Sequence, residues 1–165
     1  MALTIRAATP ADIPGIHTLA HEVWPKAYAE IITPEQVAYM LNRMYSPESL
    51  LDQMQSGVRF LIQEEALNTP VGFASFRWLQ ESDWKLDKLY VRSDRQQSGS
   101  GRALIERVLS EIKALGGHHL ELQVNRRNNA VQFYHKLGFN ILREADFDIG
   151  NGFYMIDYIM GIGIE

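Results

Sequence analysis

The sequence predicts one α/β domain over residues 1–165, with a mixed sheet flanked by helices. A length of 165 residues fits one domain, and no Pro-, Gly- or Ser-rich stretch divides it. Helix-like segments come first, three strand-like segments follow, and strands then alternate with helices. Because a meander pairs strands antiparallel, whereas strands joined through helices run parallel, this order predicts a mixed sheet.

The N-terminal third is predicted to hold one short strand and three helices. Leu3–Ala7 alternates apolar and polar residues, which is typical of a strand. Each predicted helix begins with a cap residue followed by Pro, and the caps are Thr9, Thr33 and Ser46. Pro fits the first helical position because its missing N–H has no partner there anyway. The first helix is expected to reach about Trp24.

Three strand-like segments follow, over Val58–Glu64, Pro70–Leu79 and Trp84–Val91. They are rich in Val, Phe, Trp, Tyr and Ile, which favour strands. The turn residues Asn68-Thr69-Pro70 and Glu81-Ser82-Asp83 separate them. These short connections predict an antiparallel meander.

The C-terminal half alternates helices with strands. Apolar residues at helical spacing from Leu104 to Leu115 predict a helix that closes at Gly116-Gly117. A short helix is expected over Asn128–Leu137, with Asn128 as its cap. Further strands are predicted over His119–Asn125, Phe139–Asp148 and Phe153–Ile162.

Composition and charge exclude several classes of protein. The chain has no Cys, which rules out a disulfide scaffold, thiol catalysis and Cys-based metal sites, and we predict no metal. No apolar run is long enough for a membrane span, and the N-terminus lacks a signal pattern, so a cytoplasmic location is expected. A net charge of −4 argues against nucleic-acid binding.

The charges are unevenly distributed along the chain. Residues 10–56 carry six acidic and two basic residues, residues 92–143 carry four acidic and nine basic ones, and residues 144–165 carry five acidic residues and no Lys or Arg. A basic centre suits a polyanionic cofactor, and acidic flanks suit a cationic partner. Ordinary solvated surface charge is the alternative.

The segment Val91–Ala103 joins a predicted strand to a predicted helix and contains Gly99-Ser100-Gly101. Free N–H groups of a first helical turn bind phosphate, and Arg95 and Arg102 could add charge. Neither the phosphate-loop motif GxxxxGK[ST] nor a complete dinucleotide motif is present, since Leu104 stands where the third Gly belongs. The glycines alone also fit a plain turn at a helix start.

Two motifs resemble the GNAT superfamily of N-acetyltransferases. Gln96-x-x-Gly99-x-Gly101 resembles its acyl-CoA pyrophosphate loop, with a departure at Gln97, where many members carry Gly. The segment from Asn128 to Phe139, with Ala130, Phe133, Tyr134 and Gly138 between, is similar to a second family motif but one residue shorter, so Asn128 or Asn129 can play the family's part. The tail Phe147–Met160 is similar to a bacterial subgroup near the spermidine/spermine-type acetyltransferases.

This resemblance implies a strongly twisted mixed sheet, splayed between its fourth and fifth strands, with acetyl-CoA bound in the splay. It implies a cofactor site made of Leu89, Tyr90, Val91, Gln96, Gln97, Ser98, Gly99, Ser100, Gly101, Arg102, Ala103, Asn128 and Phe133. A plain helix cap is the alternative role for Asn128.

The resemblance also implies acetyl transfer to an amine. It places a main-chain N–H donor at a bulge near Leu89–Val91, where it would polarise the thioester carbonyl. It gives Tyr134 the role of general acid toward the leaving thiolate, for which a phenol protonated at pH 7 is suited. An amphipathic packing residue is the alternative for Tyr134.

The sequence offers several candidates for the general base that would deprotonate the amine. The family's Glu position in the fourth strand is Lys85 here, and Asp87 is predicted as a catalytic residue because it shares that face of the strand. The other candidates are Glu121, His17, His21 and Glu22. Ordered water without one essential base is the remaining alternative.

The acceptor site is expected in the N-terminal helices, where Trp24, Tyr28 and Tyr45 could form an aromatic wall for an amine. The acidic N-terminal segment favours a small cationic acceptor of the polyamine type. A protein N-terminus or peptide amine and a non-catalytic acyl-CoA sensor are the alternatives. Neither nucleic acid nor a membrane is expected as a partner, and a homodimer is common in the family.

Overall fold

The computed structural model describes residues 3–66, 69–96 and 98–165. In chain order, the strands and α-helices are β1 (Thr4–Ala7), α1 (Ile13–Ala27), α2 (Pro34–Tyr45), α3 (Pro47–Gln55), β2 (Arg59–Ala66), β3 (Thr69–Gln80), β4 (Asp83–Val91), α4 (Ser100–Ala114), β5 (His119–Asn125), α5 (Ala130–Lys136), β6 (Asn140–Gly150) and β7 (Phe153–Gly163). In the described part of the chain, no helix has the length and hydrophobicity that crossing a membrane requires.

The strands form one mixed sheet in the order β1-β2-β3-β4-β5-β7-β6. Strands β4 and β5 pair parallel, and the other neighbouring strands pair antiparallel. The predicted α/β class and mixed sheet are therefore confirmed. The predicted meander is β2-β3-β4, and α4 makes the crossover that a parallel pair requires.

The sheet opens between its two parallel strands. The register of β4 with β5 joins only Asp83–Leu86 to His119–Leu122. Beyond that point β4 continues beside β3, and β5 continues beside β7. The carboxyl-terminal halves of β4 and β5 thus separate, and the predicted splay is present.

A β-bulge lies at the point where the strands separate. In the pairing of β3 with β4, Ser75 faces Lys88 and Phe76 faces Leu86, so Asp87 is the extra residue. The bulge expected near Leu89–Val91 therefore lies earlier in the strand. A bulge bends its strand and increases the local twist, which is consistent with β4 turning away from β5 here.

Two apolar cores cover the two faces of the sheet, because alternate strand residues point to opposite sides. Leu61 and Ala74 pack with α4 and α5, whereas Phe60, Ile62 and Phe73 pack with α1, α2 and α3. Helices therefore flank both faces, as predicted.

Several element boundaries differ from the prediction. Pro10–Asp12 forms a 3-10 turn, and α1 then extends past the predicted end at Trp24 to Ala27, with Pro25 inside it. Thr69 and Pro70 belong to β3 rather than to a turn, while Asn68 lies outside the described residues. Pro is tolerated at the start of a strand because its missing N–H removes few ladder bonds there.

The packing of α4 on β4 gives a stability prediction. A Cβ added at Gly117 would lie 2.3 Å from Ile112 Cγ2 and 2.7 Å from Trp84 Cδ1. We expect Gly117→Ala to lower the free energy of unfolding by about 1–3 kcal/mol, the usual effect of overpacking. Gly163→Ala, where an added Cβ meets no atom within 4 Å, is the control. Urea denaturation of both variants measures the effect, and equal stabilities would contradict this account of the contact.

Candidate active site

Two clefts meet where β4 and β5 separate. The loop cleft, of about 500 Å³, includes Gln96, Gly101, Asn128, Phe133 and Tyr134 in its lining. The aromatic cleft has a volume of about 380 Å³ and is lined by residues of the N-terminal helices, β4, β5 and β7. Six residues line both clefts: Tyr28, Leu86, Asp87, Lys88, Tyr90 and Gln123. Molecules bound in the two clefts would therefore touch each other at the splay.

The glycine loop ends at the start of α4, as predicted. Gly99 caps the helix with a φ of +87°, a conformation that favours glycine, and the helix begins at Ser100. The N–H of Ala103 donates to the carbonyl of Gly99, while the first-turn N–H groups before it lie beyond the reach of that helical ladder. Gln97 lies outside the described residues. The loop therefore offers the anion-binding end of a 15-residue helix.

The two Arg residues considered as phosphate ligands have carboxylate partners. Arg95 forms an ion pair with Glu65 of β2, and Arg102 pairs with Glu106 one turn along α4 at 2.9 Å. Gln96 lies at the loop cleft, and its side chain donates to the carbonyl of Val91 at 3.2 Å. Main-chain donors, rather than unpaired guanidinium groups, dominate this end of the cleft.

The main chain of β4 presents polar groups to the gap between the strands. Arg92 donates its N–H to the carbonyl of Val71, and alternate residues of an antiparallel strand direct their N–H groups the same way. The N–H groups of Lys88 and Tyr90 therefore face β3, and those of Leu89 and Val91 face the gap. All four residues line the loop cleft.

Tyr134 lies on α5 with its ring against Phe133 and Phe139. Tyr134 is 7% exposed, and burial raises the pKa of its phenol well above the ordinary value. Among the described residues its hydroxyl has no hydrogen-bond partner, although it lines the loop cleft. The hydroxyl is therefore protonated at neutral pH and free to donate into the cleft.

The short helix α5 begins later than predicted. It runs from Ala130, with Asn129 at the cap position, and the side chain of Asn128 accepts the N–H of Ala130 at 2.9 Å. Asn128 and Asn129 both line the loop cleft. The side chain of Asn128 thus stabilises the helix start, and its amide stands beside Tyr28.

The predicted aromatic wall is present in the aromatic cleft. Trp24 packs on Tyr28 and Tyr45, with ring centroids 4.4 and 5.7 Å apart. Trp24 and Tyr45 are buried, and Tyr28 is half-buried, with its hydroxyl 3.1 Å from that of Tyr90. These rings therefore both build the core and line the cleft.

Asp87 lies at the junction of the clefts but is not a free carboxylate. Arg77 Nε lies 2.9 and 3.2 Å from its two oxygens. The other candidate bases lie elsewhere: His17 Nδ1 contacts the Tyr45 carbonyl, and Glu121, His21 and Glu22 line neither cleft. The structure thus brings Asp87 alone of these candidates to the site, and it holds Asp87 in an ion pair.

Charged residues that the sequence analysis did not select line the aromatic cleft. Asp157 of β7 is buried, and Lys85 and Lys88 of β4 face the same cavity. Lys85 donates to the side chain of Gln123, whose Nε2 is 3.4 Å from Asp157 Oδ2. In the sequence, Asp157 is distinguished as an acidic residue inside an otherwise apolar strand. Only the pairing of β7 with β5 places it at the aromatic cleft.

Lys88 is a buried lysine with no carboxylate partner in the described ranges. It is 7% exposed, its Nζ donates to Gln53 Oε1 at 2.6 Å, and it lies 5.3 Å from the ring centroid of Tyr45. Burial lowers the pKa of Lys88 to about 8. The burial of this cation therefore costs desolvation free energy, which an anion bound in the cleft would offset.

Comparison with known proteins gives one consistent result. The family model described as an acetyltransferase (GNAT) domain matches residues 28–160. The spermidine N(1)-acetyltransferase of Thermoplasma acidophilum is 27% identical over 146 residues, which cover 86% of this chain and 90% of that protein. The L-methionine sulfoximine/L-methionine sulfone acetyltransferase of Pseudomonas aeruginosa is 25% identical over 151 residues, covering 86% of this chain and 82% of that one.

Solved structures agree with the sequence relatives. The crystal structure of the PaiA N-acetyltransferase from Thermoplasma acidophilum, in complex with coenzyme A, superposes with a TM-score of 0.84. The two sequences are 27% identical, and the superposition covers 99% of each chain.

The burial of Lys88 gives a prediction for stability against pH. The pKa of Lys88 is about 8 in the folded protein, below the ordinary 10.5, so the unfolded chain binds the proton more tightly. The free energy of unfolding therefore rises as the pH increases from about 8 to 10.5. We expect Lys88→Met to raise the free energy of unfolding by up to ~3 kcal/mol below pH 8, with a gain that shrinks by pH 10. Urea denaturation at pH 7 and pH 10 measures this difference.

The control for this experiment is the exposed Lys136 of α5, where Lys136→Met should change stability by less than about 0.5 kcal/mol. A Lys88→Met variant that is less stable than the wild type at pH 7 would contradict the argument.

Proposed function

Because this chain belongs to the GNAT acetyltransferase family, we propose that it moves the acetyl group of acetyl-CoA to a primary amine of a small molecule by direct attack. Family membership makes it an acyltransferase that uses acetyl-CoA and confirms the resemblance carried by the two sequence motifs. The observation that carries the proposal is the meeting of two clefts at the splay, which brings a donor and an acceptor together.

The loop cleft is the proposed site of the acetyl-CoA donor. The first-turn N–H groups of α4 fit a pyrophosphate, and the absence of a side chain at Gly101 keeps the cleft open beside Phe133, whose Cζ is 3.1 Å from the position of a Cβ. In this proposal Ser98, Gly99, Ser100, Arg102 and Ala103 supply the loop and first turn, while Gln96, Asn128 and Phe133 line the channel. Gln97 remains a predicted member of the loop.

The reaction needs two polar contributions in this proposal. The N–H groups of Leu89 and Val91 face the gap and would stabilise negative charge on the carbonyl oxygen. Tyr134 would donate its proton to the leaving sulfur. The apolar surroundings that raise the pKa of the phenol also raise the proton affinity of a thiolate formed beside it, so burial does not by itself oppose the transfer.

A polyamine-like cation is the acceptor that the sequence favours. The acidic N-terminal segment, the aromatic rings of Trp24, Tyr28 and Tyr45, and the spermidine N(1)-acetyltransferase among the relatives support it. Aromatic faces attract ammonium groups.

A second candidate acceptor is an amine that also carries an anionic group, as an amino acid does. The charges of the aromatic cleft favour it, since Arg43, Arg77, Lys85 and Lys88 line the cavity against Asp87 and Asp157. Arg77 and Asp87 neutralise each other, which leaves an excess of positive charge. A relative that acetylates L-methionine sulfoximine and L-methionine sulfone supports this candidate as well.

Replacing the proposed acid tests the function. Thiol release from acetyl-CoA is measured against polyamines, amino acids, aminoglycosides and basic peptides. We expect one amine class to react and Tyr134→Phe to lower kcat about 100-fold or more at unchanged CoA affinity, because the leaving sulfur loses its proton donor. Tyr158→Phe, which keeps the ring beneath Arg126, is the matched control.

Other outcomes point to the alternatives. Turnover with peptides only would identify a protein N-terminal or peptide acetyltransferase. CoA binding without turnover on any amine would support an acyl-CoA sensor and would overturn the proposed reaction.

Lys88→Met separates the two acceptor classes by the sign of its effect. If the acceptor carries a carboxylate, loss of the buried cation should raise its KM about 10-fold or more, because a desolvated charge partner disappears. If the acceptor is a polyamine, the same change should lower its KM, because a like charge is removed. Steady-state kinetics with spermidine and with L-methionine sulfone measure both, and unchanged KM values would exclude Lys88 from the acceptor site.

A further inference from the structure

We propose that Asp157 accepts the proton that the acceptor ammonium group must lose before its nitrogen can attack. This inference rests on the proposed acetyl transfer to an amine. It assigns the general base, for which the sequence offered Asp87 and the structure shows that residue paired with Arg77.

The fold places Asp157 at the wall of the aromatic cleft. It lies in the middle of β7, opposite Asn125 of β5 and Ala145 of β6, and it is 1% exposed. The residue nevertheless lines the cavity. A group that reaches this carboxylate therefore does so from inside the aromatic cleft.

The carboxylate of Asp157 lacks a cationic partner within the described ranges. Its one hydrogen bond there is the long contact of 3.4 Å from Gln123 Nε2. Arg126 approaches the main chain instead: its Nε donates to the carbonyl of Asp157, and its guanidinium pairs with Asp146. A buried carboxylate that is so weakly satisfied provides a binding position for an ammonium group.

The charges around Asp157 set its proton affinity. The pKa of Asp157 is raised to about 6, chiefly by burial and with a contribution from Asp146 of β6. The Gln123 hydrogen bond, Arg126 and Lys85 of β4 oppose the rise. Tyr28 lines the same cavity, and the charge of Asp157 raises the pKa of its phenol. The carboxylate is therefore ionised at pH 7 but holds a proton more readily than an ordinary Asp.

Tyr28 connects this carboxylate with the proposed acid. Asp157 raises the pKa of the Tyr28 phenol, and Tyr28 raises the pKa of Tyr134. Tyr28 also lines both clefts and hydrogen-bonds Tyr90 at their junction. The proposed base thus lies on the acceptor side of Tyr28, and the proposed acid lies on the donor side. An amine nitrogen bound near Tyr28 would then lie between the proposed base and the proposed acid.

The proton balance follows from this arrangement. Asp157 takes one proton from R–NH3⁺, and the neutral nitrogen forms the C–N bond. The C–S bond then breaks, the sulfur leaves with the bonding pair, and Tyr134 protonates it. The amide nitrogen returns its extra proton to Tyr134, and Asp157 releases its own proton to solvent, so the products are amide, thiol and one H⁺.

The test is the pH dependence of kcat and kcat/KM for the amine that the panel identifies. The wild type should lose activity as pH falls through about 6, because Asp157 becomes protonated. In the Asp157→Asn variant, this fall in activity at low pH, the acidic limb of the profile, should be absent. Its kcat at pH 7 should be about 100-fold lower than that of the wild type. The deficit should shrink once the pH exceeds the pKa of the amine, which then needs no base.

Two further variants complete the test. Asp52→Asn, a charge change on the exposed surface of α3, should behave as the wild type. Asp87→Asn should keep the acidic limb, whatever its effect on the rate. CoA affinity and the free energy of unfolding are measured for every variant, so that a folding defect is recognised.

The outcomes separate this inference from the function on which it rests. If the wild type turns over no amine, the proposed function fails. If it turns over an amine but shows no acidic limb between pH 5 and 7, or if Asp87→Asn removes that limb, the assignment of Asp157 is wrong. If Asp157→Asn raises KM at unchanged kcat, the carboxylate only binds the ammonium group, and the assignment also fails.

Discussion

The parallel pairing of β4 with β5 stops after four residues on each strand, and the site depends on that stop. A longer ladder would close the sheet beyond Leu86 and Leu122 and would leave no gap. The bulge at Asp87 lies where the pairing ends, and β7 satisfies the other edge of β5. The gap therefore exposes the main chain of β4 while the rest of the sheet remains paired, so the opening costs few backbone hydrogen bonds.

Around this opening the chain concentrates charges that a stable core would avoid. Lys88 and Asp157 are both buried in the lining of the aromatic cleft, each with a Gln side chain as its polar contact. Burial without an ion-pair partner destabilises a charged group. Both buried charges thus lower folding stability. A charged ligand bound in the cleft would offset their desolvation cost, as is common where stability is traded for function.

Local signals allowed the sequence to predict much of the fold. Thr33 and Ser46 cap α2 and α3 as predicted, and they accept the N–H groups of Gln36 and Ser49. The predicted strands over Phe139–Asp148 and Phe153–Ile162 are joined by a turn in which Gly150 and Gly152 have positive φ values. Features that depend on distant pairing were missed. The register of β3 with β4 decides the place of the bulge, and the pairing of β7 with β5 decides that Asp157 faces a cavity. Arg95, expected near a phosphate, pairs with Glu65, thirty residues earlier.

The two clefts share lining residues, but α4 and α5 contribute only to the loop cleft, and α2, α3 and β7 contribute only to the aromatic cleft. In the proposed reaction, each substrate would therefore occupy its own cleft without displacing the other. Direct transfer between the two clefts would take place within a ternary complex of the protein, the donor and the acceptor. The proposed reaction would then follow a sequential rather than a ping-pong kinetic pattern, since both substrates must be bound before either product leaves.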